Sequence, residues 1–233
     1  MSKQNESIIT QTLSDYFSCT EKFSKYLPDF IFSASKFALA TGQIKQSMSG
    51  KDLLKSFHNQ ALVVQEEITE FHDANAIDDR KEIMDAVIDT IYTVGNFELL
   101  YQLLSDKQCE LNEEEQVEVI AVFSIIQTEL ANLLNALYVY QEETESFTDE
   151  ELYLSARLIE ENNNLKYTNN VSEFMNWEID DTDGLETKRV TTEVDHTLFN
   201  GEVYYCLKDM NGKVRKHKSF KKVDLGFIEK TIK

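Results

Sequence analysis

Six acidic side chains in two neighbouring stretches have the spacing to form one cation site: Glu66, Glu67, Glu70, Glu82, Asp85 and Asp89. Residues three or four positions apart share a face of an α-helix, so each set forms a stripe if its stretch is helical. The second stripe runs on to Tyr92 and Asn96. Two such helices packed side by side would direct carboxylates from both towards one point.

Apolar residues recur at helical spacing beside both acidic stripes. The first stretch has Phe57, Ala61, Val64, Ile68 and Phe71, and the second has Ile83, Val87, Ile91 and Val94, with Ile88 on its other side. Burying these amphipathic faces would draw the carboxylates together and partly out of water. Anions held close in a low dielectric raise one another's pKa unless a cation neutralises them. Hard oxygen ligands suit Mg²⁺, with Mn²⁺ as a substitute, and Mg²⁺ also binds substrate phosphates.

Composition favours a helical protein and excludes several functional classes. The 233 residues include one proline, Pro28, and seven glycines, so helix breakers are few. The net charge of −19 argues against nucleic-acid binding and against an anionic membrane surface. Three scattered cysteines form neither a disulfide framework nor a zinc motif. We also find no apolar run of about 18 residues and no signal peptide, so we expect a cytoplasmic protein with no membrane partner.

Helix signals place the acidic stretches within a longer helical region. A short, loosely attached helix is expected to end near Pro28, and a second over 29–41 to stop at Gly42. The acidic helices should run over about 52–74 and 80–104. Two capping boxes, Asn112 with Glu115 and Thr148 with Glu151, begin two further helices. The first of these carries the strongest apolar stripe, over 116–137, which predicts a core or subunit interface.

The character of the chain changes after about residue 161. Residues 178–202 are acidic and interrupted by glycine, and we expect a loop there. Asn211-Gly212 lies between two strand-like runs and predicts a β-hairpin. A basic cluster occupies this hairpin and the residues after it: Lys208, Lys213, Arg215, Lys216, Lys218, Lys221 and Lys222. Lysines are common on exposed edge strands, so the cluster is either a solvated edge or a flap that contacts phosphates over the acidic site.

The acidic residues also have structural explanations. Most glutamate-rich helix faces are simply solvated. Asp79 followed by Glu82 fits a capping box, which would give Glu82 a structural role instead of a ligand role.

The ordered motifs resemble the all-α nucleoside triphosphate pyrophosphohydrolases, a superfamily that includes the MazG proteins, the dimeric dUTPases and dCTPases, and the phosphoribosyl-ATP pyrophosphohydrolases. Glu66-Glu67-x-x-Glu70, then Glu82-x-x-Asp85-x-x-x-Asp89 and Tyr92-x-x-Gly95, carry the resemblance. The second run is most similar to the phage and bacterial branch related to phosphoribosyl-ATP pyrophosphohydrolase. A phage-encoded protein would act in the host cytoplasm.

Shorter segments extend the resemblance to about 30–104 and 165–225. Residues 37–43 are similar to that branch's first helix, 170–174 to its Asn-Met-Ser-Lys segment, and 205–224 to its Asp-Gly-Lys-x-x-Lys tail. Two departures stand out. Glu173 occupies the position of the family lysine, and the regions 105–160 and 178–202 are longer than expected. A divergent substrate preference would follow from these differences.

The resemblance implies an enzyme that cleaves a nucleoside triphosphate between its α and β phosphates, giving a monophosphate and pyrophosphate. Glu67, Glu70, Glu82, Asp85 and Asp89 would hold one or two Mg²⁺ ions, with Asp89 either a ligand or a neighbour of one. Glu66 would orient or deprotonate the attacking water. Substrate contacts would come from Phe37, Asn96, Asn170, Lys216 and Lys218, with Phe37 stacking on the base.

The predicted fold is all-α: a helical bundle of four or five helices around a carboxylate metal site, with a small C-terminal β-hairpin extension. We expect a catalytic domain over 1–165, an extension over 166–233, and a homodimer or homotetramer. Two alternatives stay open. One is phosphoribosyl-ATP pyrophosphohydrolase activity, and the other is a non-catalytic acidic helical protein that binds a partner through its charged surface.

Overall fold

The computed structural model describes residues 8–144, 146–179, 186–197, 199, 201–220 and 225–228. These residues are mostly helical, with a small antiparallel sheet near the C-terminal end, which confirms the predicted fold class. The seven α-helices of the described chain are α1 Ile8–Tyr16, α2 Lys22–Ala40, α3 Gly50–Ala76, α4 Arg80–Asp106, α5 Glu113–Glu143, α6 Asp149–Asn164 and α7 Val171–Met175. Short 3₁₀ helices cover Phe17–Cys19 and Gln108–Glu110.

The two acidic helices, α3 and α4, form an antiparallel pair joined by a three-residue turn. Side-chain caps begin both helices, since Ser49 accepts a hydrogen bond from the backbone of Asp52 and Asp79 accepts one from that of Glu82. The apolar stripes predicted for both helices are buried in one core. Their burial fixes which way the intervening carboxylates point.

Close contact between α2 and α4 depends on Gly95. A Cβ at this position would lie 2.7 Å from the backbone oxygen of Ile31 and 3.0 Å from the Ala34 side chain. The two helix backbones can therefore approach only because residue 95 has no side chain. At the end of α2, Gly42 adopts a left-handed conformation with a φ of 65°, which confirms the predicted stop.

The prediction for the N-terminal region was wrong. The α2 helix begins at Lys22 and contains Pro28, rather than following a helix that ends there. The cost of one missing backbone bond is offset because α2 buries a long apolar face that includes Phe23 and Phe30. Nor is α1 loosely attached: it buries Ile9 and Leu13, and the backbone of Thr10 donates to the Glu98 carboxylate at 2.9 Å.

Both predicted capping boxes are present at the starts of α5 and α6. The apolar stripe of α5 lies mostly buried in the core. Of the two roles predicted for it, core or subunit interface, the structure therefore shows the first. By length and composition alone, α5 also qualifies as a membrane-spanning helix in the described chain, a test that core helices of soluble proteins pass too. A buried ion pair between Arg80 and Glu151, 3.1 Å apart, ties the start of α6 to α4.

The sheet contains β1 Tyr167–Thr168, β2 Thr187–Glu193, β3 Val203–Asp209 and β4 Val214–Arg215. The central strand is β3, and the other three strands pair with it in antiparallel orientation. The β2 strand lies along one edge of β3, and β1 and β4 lie along the other. Cys206 of β3 lies opposite both Tyr167 and Val190. The predicted hairpin is confirmed. The prediction of a loop throughout 178–202 was wrong, because β-branched residues within β2 pair with the whole of β3. Lys221 and Lys222 of the basic cluster lie outside the described residues.

Candidate active site

A cavity of about 520 Å³ lies among α2, α3, α4, the end of α6 and the C-terminal extension. Seven of the residues predicted from the sequence border it: Phe37, Glu67, Glu82, Asp85, Asp89, Asn96 and Lys216. The structure also places side chains there that the sequence analysis had not singled out, among them Gln60, Lys81, Asn162, Asn163 and Lys166. The cavity therefore has an acidic wall on α3 and α4 and a second wall, from the end of α6 and the C-terminal extension, that contains Asn162, Asn163, Lys166 and Lys216.

The carboxylates of the acidic wall lie close enough to perturb one another. The pKa of Glu67 rises to about 8, first because the carboxyl is partly buried and then because Asp89, Glu70, Glu66 and Asp85 are all negative. The pKa of Asp89 rises to about 7, again through burial and then through Asp85. Glu66 and Glu70 lie at the exposed edge and contribute to these fields without bordering the cavity. A cation bound here would relieve the repulsion.

The donor set fits Mg²⁺ in its chemistry, since these are hard carboxylate oxygens crowded into a partly dry site. Within the described residues, however, no three His, Cys, Asp or Glu side chains stand in a geometry that could hold a metal ion. Binding would therefore require the carboxylates of α3 and α4 to converge by side-chain rotation. Asp79 caps α4 through the backbone N–H of Glu82 at 3.1 Å, which leaves the Glu82 side chain at the cavity.

Lys166 lines the cavity, and its positive charge acts on Asp89 of the acidic wall. Its Nζ donates to Asn163 Oδ1 at 2.5 Å and lies 5.7 Å from the centre of the Phe37 ring. Burial, followed by the positive charge of Lys216, lowers the pKa of Lys166 to about 8, while Asp89 acts in the opposite sense. An anion entering the cavity would meet this ammonium directly, and its charge would keep the lysine protonated.

Two amide oxygens in the cavity wall are buried and lack a hydrogen-bond partner within the described structure: Oδ1 of Asn96 and Oδ1 of Asn162. A buried polar atom left unpaired carries a desolvation penalty that a ligand can remove. The aromatic rings of Phe37 and Tyr92, with centroids 6.4 Å apart, lie beside them. This part of the cavity could accept a flat ring carrying polar edges.

Two predicted substrate contacts do not border the cavity. Asn170 caps α7, where its Oδ1 accepts hydrogen bonds from the backbones of Ser172 and Glu173 at 3.0 and 3.2 Å. Lys218 is exposed, and its Nζ lies 3.7 Å from the Glu178 carboxylate.

The sequence analysis missed Asn163 and Lys166, although a signal was present. The family segment has an asparagine three residues before a lysine, and Asn163 and Lys166 have this spacing. The sequence alone favours the segment seven residues later, at Asn170, where Glu173 occupies the lysine position. The structure places this earlier pair at the cavity.

A comparison with protein families agrees with this geometry. Residues 49–97 match the family model described as phosphoribosyl-ATP pyrophosphohydrolase. This stretch contains α3, most of α4 and all six acidic side chains, and the family model that it matches belongs to the MazG-like nucleoside triphosphate pyrophosphohydrolase superfamily. The match supports a pyrophosphohydrolase of that superfamily. Neither the curated proteins nor the solved structures searched gave a match.

Proposed function

We propose that the protein is a Mg²⁺-dependent nucleoside triphosphate pyrophosphohydrolase, which cleaves its substrate between the α and β phosphates. The observation that carries this proposal is that carboxylates and lysines line the same cavity. Four carboxylates face it from α3 and α4, and Lys166 and Lys216 border it from the other elements. A polyphosphate that carries a metal ion is the kind of ligand that needs both walls. The carboxylates would bind the metal ion, and the lysines would bind the negatively charged phosphate oxygens.

Glu67, Glu82, Asp85 and Asp89 would hold the metal, with Glu70 turning in from the exposed edge. Bound Mg²⁺ supplies charge neutralisation of the polyphosphate and a more acidic bound water. Before the ion binds, the raised pKa values of Glu67 and Asp89 leave part of the site protonated near neutral pH. Binding therefore releases protons, and we expect Mg²⁺ affinity to rise with pH through this range.

The second wall would position the phosphates. Lys166 is held in place by Asn163 and by the Phe37 ring, so its ammonium is preorganised. With Lys216 it would bind the β and γ phosphates and offset the charge that develops on the leaving pyrophosphate. Glu66, exposed beside Glu67, would orient or deprotonate the water that attacks the α phosphorus.

The nucleoside would occupy the aromatic and amide end of the cavity. Phe37 would stack on the base, and Asn96 and Asn162 would each gain the hydrogen-bond partner that their buried oxygens lack.

A second candidate substrate is phosphoribosyl-ATP, because the matched family model carries that description. The reaction at the phosphates would be the same, so the same carboxylates and lysines would serve. The difference would lie at the base end, where the larger ligand needs additional room.

A substrate panel with matched variants tests the proposal. Purified protein is incubated with ribo- and deoxynucleoside triphosphates and with phosphoribosyl-ATP, with and without Mg²⁺, and pyrophosphate and orthophosphate are measured. Asp85→Asn and Glu70→Gln should each lose most of the pyrophosphate release. Glu142→Gln, an exposed substitution on α5, should retain it.

Pyrophosphate release that requires Mg²⁺ and depends on Asp85 supports the reaction, and the ranking of substrates identifies the base. If no substrate yields pyrophosphate while the protein is folded, the proposal fails. The acidic binding protein would then be the better account, and Mg²⁺ should bind it only weakly.

A further inference from the structure

The cavity of the candidate active site follows α4 for about four helical turns. Its lining residues on that helix begin with Lys81 and end with Asn96, a rise of roughly 22 Å along the helix axis. Asp85 and Asp89 lie between them. The cavity therefore has two ends along α4, with carboxylates that could hold a metal ion between the ends.

The two ends of the cavity differ in chemistry. The Asn96 end is aromatic and uncharged: it has the Tyr92 ring and Gln60, whose side chain donates to the backbone oxygen of Thr93 at 3.0 Å. This is the end that would take the nucleoside. The other end has the ammonium of Lys81. A nucleoside triphosphate with its base at the amides and its α phosphate at the central carboxylates would extend towards this lysine.

Lys81 occupies a position on α4 where a positive charge is unfavourable. It lies in the first helical turn, and the N-terminal end of a helix carries a partial positive charge. Both α5 and α6 have three acidic residues in their first turns. Arg80, also in the first turn of α4, is stabilised by its buried ion pair with Glu151.

Lys81 has no comparable contact, since it takes part in none of the ion pairs found among the described residues. It is also half-buried rather than fully solvated. Residues four positions apart share a helix face, so Lys81 lies on the same face as Asp85 and Asp89. A half-buried, unpaired ammonium on this face of the cavity is a suitable group for an anionic ligand.

We propose that Lys81 binds the γ phosphate of the substrate and makes the site selective for triphosphates over diphosphates. In the proposed function, on which this assignment rests, the α phosphate lies at the carboxylates. Along α4, Asp85 is about one helical turn from Lys81 and Asp89 about two. The γ phosphate lies two phosphate units beyond the α phosphate, roughly one helical turn, and is therefore the phosphate nearest to Lys81.

Lys166 lies at a different place along the cavity. Its charge interacts with that of Asp89, so it lies beside the central carboxylates rather than at the Lys81 end. There it meets phosphates that diphosphates and triphosphates share. Lys81 would contact the group that only a triphosphate has. Loss of Lys166 should therefore weaken both ligands, and loss of Lys81 should weaken the triphosphate selectively.

Calorimetric titration with nonhydrolysable nucleotides tests the proposal without requiring turnover. The full chain and Lys81→Met are titrated, with Mg²⁺ present, with α,β-methylene triphosphates of each common base and with the corresponding α,β-methylene diphosphates. Lys81→Met should weaken triphosphate binding about 10- to 100-fold, because a charged hydrogen bond to the γ phosphate is lost. Its diphosphate affinity should change little, which also shows that the variant is folded.

Two matched variants separate the contact from a general effect of charge. Lys55→Met removes one positive charge from an exposed position on α3 and should keep the wild-type ratio of triphosphate to diphosphate affinity. Lys81→Arg retains the charge and should keep most of that ratio.

The outcomes distinguish this assignment from the proposed reaction. An unchanged affinity ratio in Lys81→Met, or an equal loss for both ligands, would overturn the role of Lys81 even if the wild type releases pyrophosphate. A selective loss of triphosphate binding would support that role even if no substrate yields pyrophosphate. A folded wild type that binds neither analogue would overturn both.

Discussion

Replacing Glu67 with glutamine should stabilise the protein at alkaline pH in the absence of divalent cations. The pKa of Glu67 rises from 4.5 to about 8, because its carboxyl is partly buried and faces other acids. A group with a raised pKa binds more protons in the folded than in the unfolded state. Its favourable contribution is present below about pH 4.5 and is lost as the pH rises through 8.

The size of the effect follows from the shift. A carboxyl moved from 4.5 to about 8 corresponds to about 4.8 kcal/mol at 1.36 kcal/mol per pKa unit. Glu67 is only half-buried, so solvent screening reduces this to about 2 kcal/mol. For a chain of 233 residues, about 2 kcal/mol changes the Tm by about 4–8 °C.

Thermal unfolding of the wild type and Glu67→Gln, in chelator at about pH 5 and about pH 8.5, measures this directly. The two proteins should unfold at similar temperatures at the lower pH, and Glu67→Gln should be more stable at the higher one. Mg²⁺ should raise the Tm of the wild type at the higher pH, because binding to the folded state stabilises it, and should have less effect on the variant. Glu142→Gln, on the exposed end of α5, should behave as the wild type.

Equal Tm values for the wild type and Glu67→Gln at the higher pH would show that the ionised Glu67 carboxylate does not destabilise the folded protein. A Mg²⁺ effect of the same size in both proteins would show that this carboxylate takes no part in holding the ion. Either result would refute the argument that crowded carboxylates form the cation site.

Three further substitutions test other parts of the structure. Lys166→Met should lower kcat/KM for the triphosphate about 10- to 100-fold through loss of a charged hydrogen bond, whereas Lys36→Met, outside the cavity, should have little effect in the same assay. Gly95→Ala should reduce the free energy of unfolding by about 1–3 kcal/mol in denaturant titrations, since its Cβ meets the Ile31 carbonyl oxygen at 2.7 Å. Glu151→Ala should cost about 3 kcal/mol by the same measurement, because it removes a carboxylate partner of buried Arg80 and one half of a capping box. Unchanged kinetics or stability in any of these variants would contradict the corresponding contact.

Local patterns in the sequence predicted that acidic residues of two helices lie close together. The three-and-four spacing of Glu67, Glu82, Asp85 and Asp89, together with the apolar stripes beside them, was enough to place these residues on facing helices. Helix caps at Asp79, Asn112 and Thr148 were equally readable, because a cap depends on residues three positions apart.

Features that depend on distant residues could not be read in this way. The β2 strand is recognisable only through its pairing with β3, since its own sequence is polar and mostly exposed. The local preference of proline predicted that a helix ends near Pro28. Pro28 instead lies within α2, because the apolar residues of that helix are buried against the rest of the core. The surroundings of Lys166 include Phe37 and Asp89, which are far from it in sequence.

The proposed reaction is tested most directly by running it in ¹⁸O-labelled water and separating the products by mass spectrometry. Attack on the α phosphorus predicts a nucleoside monophosphate and pyrophosphate in equal amounts, formed only with Mg²⁺, with the label in the monophosphate. Release of orthophosphate with a nucleoside diphosphate, or the absence of Mg²⁺-dependent turnover of any substrate in the panel, would contradict the account.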